Sequence, residues 1–180
     1  IRKERLIRHY NLRNNTTTLG IKSDDGTIFI GTTSGLYRYD SESDTFSPIR
    51  STFGDFVHGL YQDSKGVIWV GTYGNGIRLI SEDGTELGHY SISEAEGSLT
   101  SRFITSFHED SRHRMWVTTE GGGVCFTDPN INISKLHFHS LTTEDGLPSN
   151  VTCAIGEDND GMIWLSTTNG ITSLSEENLK

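Results

Sequence analysis

The stretch Ile68 to Thr72, Ile-Trp-Val-Gly-Thr, decides the fold, because closely similar stretches recur along the chain. Three further copies lie at residues 28–32, 115–119 and 163–167, and each has an aromatic residue at its second position. These aromatic residues are separated by 40, 47 and 48 residues and are Phe29, Trp69, Trp116 and Trp164. β-Branched, aromatic and other apolar residues dominate the copies, so we interpret each copy as a short β-strand of a repeat.

Two further elements accompany each copy. A glycine follows three or four residues later and introduces a second β-prone run; these glycines are Gly35, Gly76, Gly123 and Gly170. Upstream, an apolar residue, an acid and a polar turn recur at 60–66, 107–113 and 155–161. The first copy of this turn, at 21–26, is interpreted as one residue shorter. His113 stands at a turn position that favours glycine, so we expect a strained or remodelled turn there.

A fourth β-prone run completes each unit, and its markers are His9-Tyr10, Phe46, His89-Tyr90 and His137-Phe138. Four short strands in a repeat of this length predict an all-β β-propeller with four antiparallel strands in each blade. We place the units of this single domain at residues 13–49, 50–92, 100–141 and 145–175. The chain forms either a closed ring of four blades or a four-blade arc of a larger ring. A strand at residues 5–12 is positioned to complete the last blade.

The recurring aromatic residues are interpreted as packing between neighbouring blades. The run Val67–Val70 is apolar without alternation, as expected for a sheet that is covered on both faces. Residues that recur in every unit hold the scaffold, whereas loop residues that differ between units determine specificity. We also expect Cys125 and Cys153 to behave as small buried residues.

Composition excludes several classes of protein. The chain has 180 residues, of which 33% are hydrophobic and 22% charged, and this composition is typical of one folded domain. A net charge of −9 argues against nucleic acid as a partner, because such partners require basic patches. The apolar runs are far shorter than the roughly 18 residues of a membrane span, so we expect no membrane contact. Because the chain begins at Ile1, we expect any targeting sequence to lie outside it.

The last unit, residues 145–164, resembles the two-component regulator propeller repeat. Asn150, Glu157-Asp158, Gly161 and Ile163-Trp164 match the family pattern, and Thr152 departs from it. The second unit matches well. The other departures are Phe29 in place of tryptophan in the first unit, and His113 and Thr118 in place of glycines in the third.

The resemblance implies the extracytoplasmic sensor region of a hybrid two-component system histidine kinase, especially one from gut Bacteroidetes. It implies a periplasmic position in an inner-membrane protein and detection of glycan-derived oligosaccharides. No kinase, receiver or DNA-binding pattern occurs in this sequence, so we expect a sensing part with no enzymatic activity and no cofactor. Its expected partners are an oligosaccharide or another small ligand, other blades of the parent protein, or a second copy.

Candidate ligand-binding residues lie in two sets of loops that share one face of a propeller. The loops between second and third strands contribute Tyr73, Asn75, Glu120 and Asn169. The segments leading into first strands contribute Phe56, His58, Arg102 and Asn150. Aromatic faces with amide and carboxylate groups suit sugar rings and their hydroxyls.

Other functions are less well supported by the sequence. One alternative is an assembly module that pairs through exposed blade edges, and another is an enzyme similar to the streptogramin lyases. We identify no catalytic residues. Asp158–Gly161 opens like a calcium loop, but Thr167 stands where the distal glutamate is needed. His137 and His139 share one strand face, yet the repeat explains His137, so we predict no metal site.

Overall fold

The computed structural model describes residues 8–13 and 15–179. Its strands are β1 (Thr17–Lys22), β2 (Ile28–Thr32), β3 (Gly35–Asp40), β4 (Thr45–Pro48), β5 (Val57–Gln62), β6 (Ile68–Thr72), β7 (Ile77–Ile80), β8 (Glu86–Tyr90), β9 (Ile104–Glu109), β10 (Met115–Thr119), β11 (Val124–Thr127), β12 (Phe138–Leu141), β13 (Thr152–Glu157), β14 (Ile163–Thr167) and β15 (Gly170–Leu174). Short 3-10 turns lie at Arg50–Thr52, Thr143–Asp145 and Glu176–Leu179.

The strands form four antiparallel sheets in chain order: β1–β4, β5–β8, β9–β12 and β13–β15. Each sheet is a blade, and we number the blades one to four. Three blades have four strands, and the last has three among the described residues. The predicted all-β propeller architecture is confirmed.

One aspartate holds the hairpin between the first two strands of a blade. Asp63 Oδ1 accepts hydrogen bonds from the backbone N–H groups of Lys65 (3.0 Å) and Val67 (2.9 Å). Its Oδ2 accepts a bond from the indole Nε1 of Trp69 at 2.8 Å. The same indole bond joins Trp116 to Asp110 and Trp164 to Asp158. The recurring acid is therefore structural: it fixes the turn and satisfies the indole N–H.

The first hairpin keeps the same length with different chemistry. The N–H of Ser23 donates to the carbonyl of Thr27, and the N–H of Gly26 donates to the carbonyl of Ser23. The turn that begins at Asp63 in blade two has the same two backbone bonds. The expectation of a shortened turn is wrong, because Ser23 occupies the aspartate position. The side chain of Phe29 has no N–H, so a hydroxyl in place of the carboxylate leaves no indole donor unpaired.

His113 adopts the glycine conformation that its position demands. Its φ is 60°, in the left-handed region, close to the values of 83° at Gly66 and 79° at Gly161. The turn is thus retained with a backbone conformation that costs an ordinary side chain about 1 kcal/mol. Nδ1 of its ring lies at hydrogen-bond distance, 3.0 Å, from Glu109 Oε1. This hydrogen bond partly offsets the conformational cost.

Neighbouring blades pack face to face through three apolar cores. Phe29 lies in the core between blades one and two, Trp69 between two and three, and Trp116 between three and four. All three rings are fully buried, so the recurring aromatic residue packs against the following blade, as predicted. Trp164 is 46% exposed, because no sheet follows blade four among the described residues.

Side chains also join the blades in one direction at the turns. Ser64 of blade two donates from both its N–H and its hydroxyl to the carboxylate of Glu109 in blade three, each at 2.6 Å. Ser111 of blade three makes the same pair of bonds to Glu157 of blade four, each at 2.7 Å. We call this pair of bonds the turn clamp. It joins the turn of each of these blades to the blade that follows.

The N-terminal segment does not complete blade four in the described residues. Residues 5–7 lie outside them, and residues 8–12 form no strand. The hydroxyl of Tyr10 donates to Asp44 (2.6 Å), and its ring packs edge-on against Phe46 with centroids 5.3 Å apart. These contacts hold the segment on blade one, away from β15, and the four blades form an open arc.

The two cysteines differ in environment. Cys125 is buried in the core between blades two and three, whereas Cys153 is exposed, so the expectation that both are buried is wrong for Cys153. Cys153 occupies the position that Thr105 has in blade three. Thr105 reaches the backbone of the next blade by donating to the carbonyl of Thr152, and Cys153 has no such neighbour among the described blades. No helix in the described part of the chain is both long and apolar enough to cross a membrane.

Candidate functional site

The candidate site is built on a rim where loops of adjacent blades are bonded together. The backbone carbonyl of Arg102 accepts bonds from the N–H groups of Gly74 (3.1 Å) and Gly76 (3.0 Å) of the preceding blade. The carbonyl of Asn150 accepts the equivalent bonds from the loop of blade three. Gly76 has a φ of 73°, and a Cβ there would lie 2.2 Å from the carbonyl oxygen of Tyr90. Only glycine fits, and the rim loops are held rigidly.

Four aromatic rings meet on this rim, and we call them the aromatic patch: Phe56, His58, Tyr73 and Phe103. The rings of Phe56 and His58 both lie 6.0 Å from that of Tyr73, measured between centroids. Tyr73 and Phe103 are closer, at 4.8 Å. Tyr73 is 41% exposed and Phe56 is 39% exposed, so the patch presents ring faces to solvent. It spans blades two and three, because Phe103 leads into β9.

A β-bulge places His58 in the patch. The pairing of β5 with β6 shifts register between Val57 and Gly59, which leaves His58 as the extra residue. In blades one and three the equivalent residues are Thr18 and Thr105, whose hydroxyls bond the backbone of the next blade. The bulge in blade two instead turns an exposed imidazole toward Phe56.

Opposite charges flank the patch. The guanidinium carbon of Arg102 lies 5.3 Å from the ring centroid of Phe103, which is a cation–π distance. On another side the Tyr73 hydroxyl is hydrogen-bonded to Glu120, and this bond raises the pKa of Tyr73. The phenol therefore stays protonated and continues to donate to the carboxylate. The surface combines apolar ring faces with a cation and an anion at its edges.

Five of the eight residues predicted from the sequence belong to this surface: Phe56, His58, Tyr73, Arg102 and Glu120. The three asparagines do not, because their amides serve the loops themselves. Asn75 donates to the buried Asp55 at 2.6 Å. Asn150 bonds both the N–H and the hydroxyl of Thr143. Asn169 donates to the carbonyl of Pro148 at 3.1 Å.

Phe103 belongs to the patch and was missed in the sequence. The signal was present, because Phe103 precedes β9 just as Phe56 precedes β5. Its place immediately before the first strand of a blade is therefore the sequence signal that predicts it.

Three stretches of the chain, residues 52–74, 98–121 and 146–169, match the family model described as two component regulator propeller. Among solved structures, the chain is similar to the extracellular domain of the hybrid two component system BT3049 from B. thetaiotaomicron. The identity is 27%, the TM-score is 0.78, and the match covers 97% of this chain and 23% of that one. The corresponding domain of BT4673 from the same organism is 18% identical, with a TM-score of 0.70, over 92% of this chain and 25% of that one.

The virginiamycin B lyase of Staphylococcus aureus is also similar, at 17% identity and a TM-score of 0.66, over 97% of this chain and 61% of the enzyme. Identity this low shows a shared fold alone. The comparison with curated proteins finds no match. The chain spans about a quarter of the length of the two-component structures it resembles.

Fold and rim together define an open arc of β-propeller blades that presents an exposed aromatic surface. Three segments of the chain match the two-component regulator propeller repeat, in agreement with the resemblance seen in its sequence. Its fold is that of the extracellular domains of hybrid two-component systems.

Proposed function

We propose that this chain is a ligand-sensing part of a hybrid two-component sensor histidine kinase and that the aromatic patch binds the ligand. The parent protein would be an inner-membrane kinase with this part in the periplasm. The single observation that carries the proposal is the convergence of four rings, a cation and a carboxylate on one rim of a sensor-type propeller. We assign no catalytic role to the chain.

The chemistry of the patch favours glycan-derived oligosaccharides as ligands. Sugar rings present C–H faces that pack on aromatic rings and hydroxyls that need hydrogen-bond partners. Phe56 and Tyr73 offer half-exposed ring faces, while Arg102 donates and Glu120 accepts at the edges. Because the patch spans two blades, an oligosaccharide has more surface to contact than a single sugar.

The test is calorimetry of the whole chain against a panel of neutral and acidic oligosaccharides. For a binder from the panel, Tyr73→Ala should weaken affinity by about tenfold, because a stacked aromatic contact contributes about 0.5–1.5 kcal/mol beyond its buried area. Tyr10→Ala is the matched control: Tyr10 is 37% exposed against 41% for Tyr73, and it lies outside the patch. Absence of binding across the panel, or equal losses in both variants, would contradict the proposal.

A second proposed role is assembly through the open face of blade four, and a specific observation favours it. Trp164 and Ile171 are exposed on this face, at 46% and 73%. In blades two and three the same tryptophan position is covered by the next blade, so the fitting occupant is another blade of this repeat.

The turn clamp distinguishes a different blade from a second copy of this chain. A following blade needs a hydrogen-bond acceptor where blades two, three and four have Gln62, Glu109 and Glu157. Blade one has Lys22 at that place, immediately before Ser23, so a second copy would lack the acceptor. We therefore favour another blade of the parent protein. Light scattering tests this choice: a monomer of the 20.0 kDa chain supports it, and a stable dimer contradicts it.

A further inference from the structure

Three metal-binding side chains meet on the outer edge of blade three. Asp128, His137 and His139 offer ligand atoms that all lie within 4.8 Å of one another. Nε2 of His139 lies 2.9 Å from Oδ1 of Asp128, and the two imidazole centroids are 5.0 Å apart. Asp128 directly follows β11, His137 directly precedes β12, and His139 is the second residue of β12. The segment that connects β11 and β12 therefore has both of its ends, Asp128 and His137, in this cluster.

The surroundings hold both imidazoles in position. The ring of His139 stacks on Phe126 at 5.1 Å, and Phe126 stacks in turn on the buried Trp116 at 4.7 Å. His137 lies directly over Gly97, where an added Cβ would come within 2.1 Å of the imidazole. Gly97 also accepts a backbone bond from Phe138 at 2.8 Å. Rings placed in advance lose little freedom when they bind an ion.

We propose that Asp128, His137 and His139 form a binding site for a divalent transition metal ion, with Zn²⁺ as the main occupant. Two imidazoles and one carboxylate suit Zn²⁺, which binds nitrogen and oxygen at roughly 2.0–2.2 Å with tetrahedral geometry. The ion takes the place of the hydrogen bond between His139 and Asp128. Asp128, His137 and His139 supply three ligands, and water fills the fourth position.

Metal binding at this site would fasten the connection between β11 and β12. Ile131, Ile133 and Leu136 of this connection pack against the core between blades two and three. The hydroxyl of Tyr90 donates to the carbonyl of Ile133 at 2.5 Å. An ion held at both ends of the connection therefore stabilises the cover of that core, and saturating Zn²⁺ should raise the melting temperature.

The test is a competition titration of the untagged whole chain with ZnCl₂ and a chromophoric chelator. We expect one bound Zn²⁺ per chain. His137→Ala, His139→Ala and Asp128→Asn should each lower the affinity by at least about tenfold, since even outer-shell changes have effects of that size. His89→Ala is the matched control, because His89 occupies the outer strand of blade two beside Tyr90, as His137 stands beside Phe138. It should bind Zn²⁺ like the unchanged chain.

A second measurement separates the site from loss of folding. Side-chain NMR of the histidines should show the signals of His137 and His139, and not that of His89, shifting with one equivalent of Zn²⁺. Mg²⁺ should shift none of them, because it prefers oxygen ligands. Circular dichroism should show folded variants. Absence of Zn²⁺ binding, or equal binding by the His137→Ala and His139→Ala variants, would overturn the proposal.

Discussion

Removal of the hairpin aspartate should cost far more stability in blade two than in blade four. Asp63→Ala leaves three N–H donors without their acceptor: the indole of Trp69 and the backbone groups of Lys65 and Val67. Trp69 is fully buried and Val67 nearly so. A buried donor without a partner costs about 1–3 kcal/mol, so these two together predict a loss of about 2–6 kcal/mol in the free energy of unfolding.

Asp158→Ala is the matched change. It removes the same three bonds, from Asp160, Met162 and Trp164. Trp164 is partly exposed, so water can replace the carboxylate, and the loss should be clearly smaller. Urea unfolding followed by circular dichroism measures both variants. Equal losses in the two blades would refute the reasoning, because they would show that burial of the donors does not set the cost.

The residues of blade one suggest a second substitution that compensates for loss of Asp63 in blade two. Ser23 and Phe29 occupy the positions that Asp63 and Trp69 have in blade two, and they need no indole bond. Asp63→Ser should therefore cost about 1–2 kcal/mol less in the Trp69→Phe background than in the unchanged chain, because no indole N–H is left unpaired. A double-mutant cycle measures this difference, and additive effects would contradict it.

Two further predictions concern backbone conformation and pH. Gly76→Ala should lower the free energy of unfolding by about 3 kcal/mol or more, because the added Cβ meets a carbonyl oxygen. Gly121→Ala should cost only about 1 kcal/mol, because its φ is 89° but the space around it is open. Thermal or urea unfolding measures both variants. Burial raises the pKa of Asp110, but hydrogen bonds from Trp116 and Arg114 outweigh it and lower that pKa below its ordinary value. The stabilisation that the ionised Asp110 gives to the folded state is therefore complete above about pH 4 and is lost as the pH falls through the folded pKa. The urea midpoint should therefore fall less steeply between about pH 5.5 and 3 in Asp110→Asn than in the unchanged chain.

Periodicity made the scaffold predictable, because every repeat applies the same packing. The spacing of Trp69 and Trp116 predicted both the strands and the burial of the rings. It did not reveal that Asp63 bonds the indole, since the sequence shows the six-residue separation but not the curvature of the turn. The repeat pattern also did not predict where residues 8–12 lie, because the contacts of Tyr10 with Asp44 and Phe46 are specific to blade one.

The candidate site was less predictable, because a loop side chain faces either its own turn or solvent. Asn75 and Tyr73 are two residues apart, yet the amide turns to Asp55 while the phenol joins the patch. Only tertiary partners decide between these outcomes. Asp128 illustrates the same limit, because nothing in the sequence joins it to His137 until the intervening segment is folded.

The hydrogen bonds of the turn clamp run in one direction along the arc. Its donors always lie on the earlier blade and its acceptors on the later one, so the two ends of the arc are chemically unlike. A blade that follows blade four needs a hydrogen-bond acceptor at the position of Glu109 and Glu157, and a blade that precedes blade one must accommodate Lys22. Exchanging blade one with a later repeat would place Lys22 where an acceptor is needed, even though every repeat kept its own hydrophobic pattern.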